Sequence, residues 1–291
     1  MPATPMTARS LLFAPGDSER KLAKAGASGA DLVLCDLEDA VAPASKQAAR
    51  DLVADHLRAG DRVQPQWVRI NPLDTDYALA DLAAIVPAAP DGIMLPKAMR
   101  ADADRLHHYL TALEAAAGLE IGRIATIVVA TETAPALFGL GEYAGCPRLS
   151  ALTWGAEDSA TALGATGNRE PNGEYAFPYH LFRSLCLAGA AAAGVTPIET
   201  IHGDFRDLDD LRRVAERARR DGFRGMMAIH PAQVPVINAA FSPAPAEVER
   251  AERIVAAFAA NPGAGTIGLD GEMLDMPHLK RARAVLAMRR D

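Results

Sequence analysis

Acidic residues recur just after short apolar runs in this 291-residue chain: Asp36, Glu38 and Asp39 after one, Glu132 after another, Glu157 and Asp158 after a third. Arg69 and Lys97 stand at the ends of two more. Six carboxylates, a guanidinium and an ammonium gathered in one place would repel or mispair unless a cation or a charged substrate organised them. A divalent metal is the economical organiser. Carboxylate oxygens with few or no His partners suit Mg²⁺, or Mn²⁺, better than Zn²⁺, and Mg²⁺ commonly takes one or two protein carboxylates while keeping water that substrate oxygens can replace. Arg69 needs a paired anion, which is either a substrate carboxylate gripped by its fork or a salt bridge to Asp36 or Glu38. Lys97 opens a rival chemistry, a Schiff base with a carbonyl substrate. Asp158 and Asp17 each precede a helical pattern and could equally cap it. His202 and His230 read as satisfied strand-end histidines, and Cys35, inside an apolar run, as an inert core thiol.

Elements must bring these residues together. Eight candidate strands are spaced along the chain: Leu11–Ala14, Asp31–Asp36, Trp67–Ile70, Gly92–Leu95, Ile124–Ala130, Ala151–Trp154, Val195–Ile201 and Met226–Ile229. Helical periodicity separates most of them, as in Ser18–Ala27, Ser45–Leu57, Ala101–Ala117, His180–Ala193 and Leu208–Arg220. Alternating strands and helices imply a parallel sheet, and eight repeats of near-continuously apolar strands predict closure into a (β/α)₈ TIM barrel, with an open doubly wound sheet as the alternative. The chemistry-bearing residues all fall at the carboxyl ends of strands, where a barrel builds its active site. Residues 1–242 are read as the barrel and 243–291 as a C-terminal helical extension. The match Gly263, Gly265, Gly268 to a dinucleotide fingerprint follows a helix (Ala246–Ala259), not a strand, so Gly263–Gly271 reads as a flexible connector to a terminal segment that either packs on its own barrel or reaches across to a neighbouring subunit as a lid. The stretch Gly164–Pro178 reads as an insert able to reshape the barrel mouth.

Composition excludes several classes. With 30 basic and 37 acidic side chains the net charge is −7, which argues against nucleic acid as a partner. The basic run Arg212, Arg213, Arg217, Arg219, Arg220 is interleaved with acids, as on a solvated helix face. The longest stretch without charge, Gly225–Ala246, is interrupted by four prolines and cannot be one spanning helix. Three cysteines without a CxxC pair suit a reducing compartment, and the apolar run after Met1–Ser10 is too short for a secretory leader. A cytoplasmic location is expected.

The segments Arg9–Gly16, Gly29–Val41, Val68–Asn71, Leu95–Lys97, Glu132–Ala134, Gly155–Asp158, Gly222–Gly225, Ile229–Pro231 and Asp270–Asp275 together resemble the citrate lyase β-subunit-like family of the HpcH/HpaI aldolase superfamily. The resemblance implies a Mg²⁺-dependent barrel that cleaves a malyl-, citramalyl- or citryl-type thioester of coenzyme A, by a retro-Claisen reaction, to an acyl-CoA and an oxo acid. It implies Glu132 and Asp158 as metal ligands and Arg69 as the residue binding the oxo-acid end, with Glu38, Asp39 and Lys97 around the substrate. Arg20 and Lys24 are implied as contacts for thioester phosphates. Asp275 is implied as the acid/base residue, supplied by a neighbouring subunit of a trimer or hexamer through the anchors Met273, Leu274, Met276 and Leu279. Net thioesterase activity, or a β subunit acting on an acyl-carrier-protein thioester, are the other readings.

Overall fold

The computed structural model describes residues 5–60 and 62–289. Of the segments read above, the first four residues of the N-terminal stretch and the last two of the C-terminal one lie outside the described residues.

Eight parallel strands close into a barrel in chain order: β1 (Ser10–Pro15), β2 (Leu32–Asp36), β3 (Gln66–Arg69), β4 (Gly92–Leu95), β5 (Ala125–Val129), β6 (Leu149–Thr153), β7 (Thr196–Glu199) and β8 (Gly225–Ala228). β8 returns to β1 with Ser10 opposite Met226 and Leu11 opposite Met227. The open sheet is thereby excluded. Around the strands run α1 (Glu19–Gly26), α2 (Lys46–Arg58), α3 (Ala78–Ile85), α4 (Arg100–Ala116), α5 (Ala134–Phe138), α6 (Ala156–Ala162), α7 (Phe177–Ala193), α8 (Leu208–Asp221) and α9 (Val234–Ala240).

Side chains alternate across each strand, so every second residue enters the barrel. Leu11, Leu32, Leu34, Trp67, Met94, Ile127, Val129, Ala151, Ile198 and Met227 form that interior. The Trp67 ring occupies the space beside Gly92, where a Cβ would lie 2.4 Å from it. Carried two residues onward, the same alternation turns Asp36 and Arg69 inward at the top of the barrel. They are register partners on β2 and β3. Helices bury one stripe each: α8 turns Leu211, Ala215 and Ala218 inward and leaves Arg212, Arg213 and Arg220 exposed. Among the described residues no helix is long and apolar enough to cross a membrane.

Chain contacts divide at Asn238/Ala239, and residues beyond form their own unit. It holds α10 (Pro245–Ala259), a hairpin of β9 (Thr266–Leu269) and β10 (Glu272–Asp275), and α11 (Met276–Ala287) around Ala251, Ile254, Phe258, Leu274, Leu279 and Ala282. The flexible connector is thus corrected. Asp270 and Gly271, at φ 54° and 81°, make a two-residue turn of the left-handed type that hairpins prefer, and the register pairs Leu269 with Glu272. The four glycines counted as flexibility belong partly to an ordered ribbon.

Candidate active site

A cavity of about 330 Å³ lies at the carboxyl ends of the strands, with Asp36, Asp39, Arg69, Glu132, Glu157 and Asp158 on its lining. Asp36, fully buried, accepts from Arg69 Nε and Nη2, each at 2.7 Å, and from the backbone N–H groups of Glu38 and Ala40. Burial alone would raise the Asp36 carboxyl, but the Arg69 charge and these donors outweigh it and hold it below the ordinary range. Arg69 Nη1 lies 2.8 Å from Glu38, and its guanidinium sits 4.7 Å from the Phe13 ring centre. The salt-bridge reading of Arg69 is therefore realised, with Asp36 and Glu38 both engaged. Lys46, at the start of α2, donates to the carbonyls of Leu37 and Glu38 and pins the loop that carries these acids.

Arg69→Ala would leave Asp36 buried and unpaired, a loss of about 3–5 kcal/mol in stability. Because the Asp36 carboxyl is depressed in the folded chain, its contribution is complete above the ordinary carboxylate range and lost as pH falls through the folded value. Urea unfolding of Arg69→Ala should accordingly show its deficit at pH 7 and converge with wild type in acid. Equal stabilities at pH 7 would show that the pair contributes nothing.

Lys97 is the cation among the remaining acids. Its Nζ lies 2.5 Å from Glu38, 3.5 Å from Asp39 and 3.3 Å from Asp158. Burial lowers its affinity for the proton, yet Glu38, Glu132 and Asp158 more than reverse this and raise it above the ordinary lysine value. A Schiff-base lysine needs the opposite shift. Lys97 also adopts φ 50°, a left-handed conformation that turns its backbone N–H onto Glu132 at 2.9 Å. Glu132 is nine-tenths buried, and burial, with the Asp158 charge second, pushes its carboxyl up to about 8.

Asp158 is the third residue of α6, whose N-cap is Gly155, and the N-cap of α1 is Ser18; neither Asp158 nor Asp17 caps its helix. Gly155 instead makes room. A Cβ there would lie 2.5 Å from Glu132 Oε1. Gly155→Ala should therefore displace Glu132 and weaken divalent-metal affinity about tenfold or more with the fold kept. Calorimetry with Mg²⁺ would show it, and an unchanged affinity would sink the idea.

Among the described residues no cluster of three or more His, Cys, Asp or Glu side chains could hold a metal. Glu132 and Asp158 are two hard oxygen donors whose charges disfavour one another, set in a cavity with space for water and substrate oxygens. That donor set fits Mg²⁺ and is a poor match for Zn²⁺.

Other residues fall as follows. Arg20 and Lys24, both exposed, line a separate cavity of about 380 Å³, which shares Phe13, Pro15 and Ile229 with the first. The insert carries Tyr175 onto the cavity lining, where its ring stands 5.2 Å from that of Trp154, and its Asn168 donates to Glu157. Sequence reading missed Trp154 and Tyr175. Their signal was the strand-end position of the one and the insert around the other. Asn71 turns away to Asp81 and the Leu37 carbonyl. His230 accepts from the Ala232 N–H and stacks on Phe205, whereas the buried His202 leaves Nε2 without a hydrogen bond, 3.8 Å from Asp210. Cys35 is fully buried, with its thiol pushed up to about 12. Asp275 lies in the C-terminal unit as the N-cap of α11, with His278 Nδ1 2.5 Å from it. Hydrogen bonding from His278 holds its carboxyl below the ordinary range. Of the four anchors, Leu274 and Leu279 are buried within their own unit, while Met273 and Met276 are exposed.

A closed parallel barrel with a carboxylate pair, a paired arginine and an apolar wall at the carboxyl ends of its strands has its ionisable groups where barrel enzymes build their active sites. The chain belongs to the HpcH/HpaI aldolase/citrate lyase family, whose profile matches residues 9–231. It is 39% identical over 282 residues to a (3S)-malyl-CoA thioesterase of Cereibacter sphaeroides, covering 96% of this chain and 93% of the relative. It is 34% identical to the citrate lyase subunit beta of Haemophilus influenzae, covering 96% and 95%. Among solved structures, CitE of Mycobacterium tuberculosis with magnesium, acetoacetate and coenzyme A superposes at a TM-score of 0.79, with 32% identity over 98% of each chain. The citrate lyase beta subunit of the same organism, complexed with oxaloacetate and magnesium, gives 0.68 at 33% identity, covering 83% of this chain and 98% of that one.

Proposed function

We propose that this protein is a Mg²⁺-dependent carbon–carbon lyase that cleaves a 3-hydroxyacyl-CoA of the malyl, citramalyl or citryl type to an acyl-CoA and an oxo acid. The observation that carries the reading is the Glu132/Asp158 pair set beside Arg69 in a cavity large enough for a small hydroxy acid. Glu132 and Asp158 hold the ion. Once bound there, Mg²⁺ supplies a Lewis acid for the hydroxyl and carboxylate oxygens of the substrate. Arg69, fixed from behind by Asp36, offers positive charge to the oxo-acid end, and Glu38, Asp39 and Lys97 frame it. Arg20 and Lys24 supply charge to the coenzyme phosphates from the adjoining cavity.

In cleavage the substrate hydroxyl gives its proton to water, the bond between the carbinol carbon and the α-carbon breaks to leave the oxo acid and a thioester enolate, and a separate donor protonates the α-carbon of that enolate. Asp275 is the residue assigned to that α-carbon, contributed by a neighbouring subunit: as the carboxylic acid it gives the proton in cleavage, and as the carboxylate left behind it takes the proton back in the condensation direction.

The relatives named thioesterase support a second reading, in which water then releases free coenzyme A. Measuring oxo acid and free thiol separately on one malyl-CoA reaction decides between them. The relatives named citrate lyase subunit beta support a third, dependence on a carrier protein, which turnover of simple CoA thioesters by the purified chain would exclude. Chelation should abolish oxo-acid release, Mg²⁺ or Mn²⁺ should restore it, and borohydride should trap nothing on Lys97. Activity surviving exhaustive chelation overturns the metal assignment.

A further inference from the structure

We propose that the cavity selects the substituent on the carbinol carbon, favouring hydrogen or a small alkyl group over a carboxymethyl group. This deepens the lyase reading and rests on it. A thioester with hydrogen or methyl at that carbon brings one carboxylate into the cavity; one with carboxymethyl brings two. The lining acids, Asp36, Asp39, Glu132, Glu157 and Asp158, face a single lining cation, Arg69. Its Nε and Nη2 are held by Asp36, and its Nη1 is 2.8 Å from Glu38.

Lys97 offers no second cationic partner, because it is not on the lining and its ammonium faces Glu38, Asp39 and Asp158. Arg20 and Lys24 line the other cavity, beyond the apolar residues Phe13, Pro15 and Ile229 that the two share. The remaining wall is apolar, with Met94, Val129, Trp154, Ile201 and Met227 on it, apart from the neutral hydroxyl-bearing side chains Tyr175 and Thr200. A second carboxylate therefore meets apolar side chains, which strip its water without replacing it, other anions, or the neutral hydroxyls of Tyr175 and Thr200, which bring no balancing charge. Methyl against the same wall is favourable.

The wall is also held in place. Trp154 Nε1 and Arg183 Nε both donate to the buried Glu199, at 2.5 and 2.6 Å. Beside Tyr175, Glu174 accepts from Arg213 and Arg217 of α8, each at 2.9 Å. The aromatic face cannot swing aside to admit a distant cation without breaking these hydrogen bonds and ion pairs. Because a relative holds oxaloacetate, the selectivity is read as ratios and not as absence of binding.

With the full chain and Mg²⁺, kcat/KM for citryl-CoA should lie at least about a hundredfold below the better of malyl-CoA and citramalyl-CoA. Calorimetry should rank oxaloacetate below glyoxylate or pyruvate. A citryl-CoA value within about tenfold of the best overturns the proposal and leaves the lyase reading intact. Inactivity on all three thioesters overturns the lyase reading, and the oxo-acid affinities then decide selectivity alone. Tyr175→Ala enlarges the cavity without adding charge, so it should admit 2-oxobutyrate and still disfavour oxaloacetate. If oxaloacetate gains as much as 2-oxobutyrate, size and not charge sets the limit and the proposal fails.

Discussion

Glu132→Gln should lose turnover by at least about a thousandfold, because on the proposed assignment it removes half of a two-carboxylate donor set and with it the Lewis acid that lowers the barrier. Asp158→Asn should behave alike. The amide keeps the shape of Glu132 and can still accept from the Lys97 N–H. Burial and the Asp158 charge already push the Glu132 carboxyl up to about 8, so its neutral isostere does not strain the folded chain. Unfolding in urea should therefore be nearly unchanged while calorimetric Mg²⁺ affinity collapses. That split between stability and metal binding is the diagnostic result. If both variants bind Mg²⁺ as tightly as wild type, Glu132 and Asp158 are not the ligands, and the acid cluster around Lys97 is the next place to look.

The barrel was legible because its signal is local and repeated: eight apolar runs, each followed by polar residues, and period-two alternation that carries Asp36 and Arg69 inward together. Strand ends differ by a few residues, as in Val195–Ile201 against the observed Thr196–Glu199, since hydrophobicity continues past the point where ladder pairing stops. The acidic cluster was legible for the same reason. What resisted sequence reading is geometry that depends on the backbone. Nothing in the sequence says that Lys97 takes a positive φ and donates its N–H to Glu132, or that Gly155 is needed to clear Glu132. Tyr175 reaches the cavity only because Asn168, Glu174 and α8 anchor the insert. The Asp270-Gly271 hairpin is a different kind of miss. Its signal was present in the dipeptide, and counting glycines as flexibility hid it.

The second large effect concerns Asp275. Asn is as good an N-cap as Asp, so Asp275→Asn keeps α11 capped while removing the carboxylate assigned to the α-carbon. Loss of activity without loss of stability then reports chemistry instead of capping, and the drop should be at least about a hundredfold. Whether Asp275 serves its own barrel or a neighbour's is settled by mixing. Asp275→Asn and Glu132→Gln are each nearly inactive alone. In a closed ring with head-to-tail contacts, a site is intact when its own subunit keeps Glu132 and its neighbour keeps Asp275, so random co-assembly restores about one site in four. The exposed Met273 and Met276 flanking Asp275 are the apolar surface such a contact would cover. Activity should reappear only after the two variants exchange subunits, which a mixture of tagged proteins can verify. A mixture that exchanges fully and stays inactive places Asp275 within its own chain's site or outside the chemistry altogether.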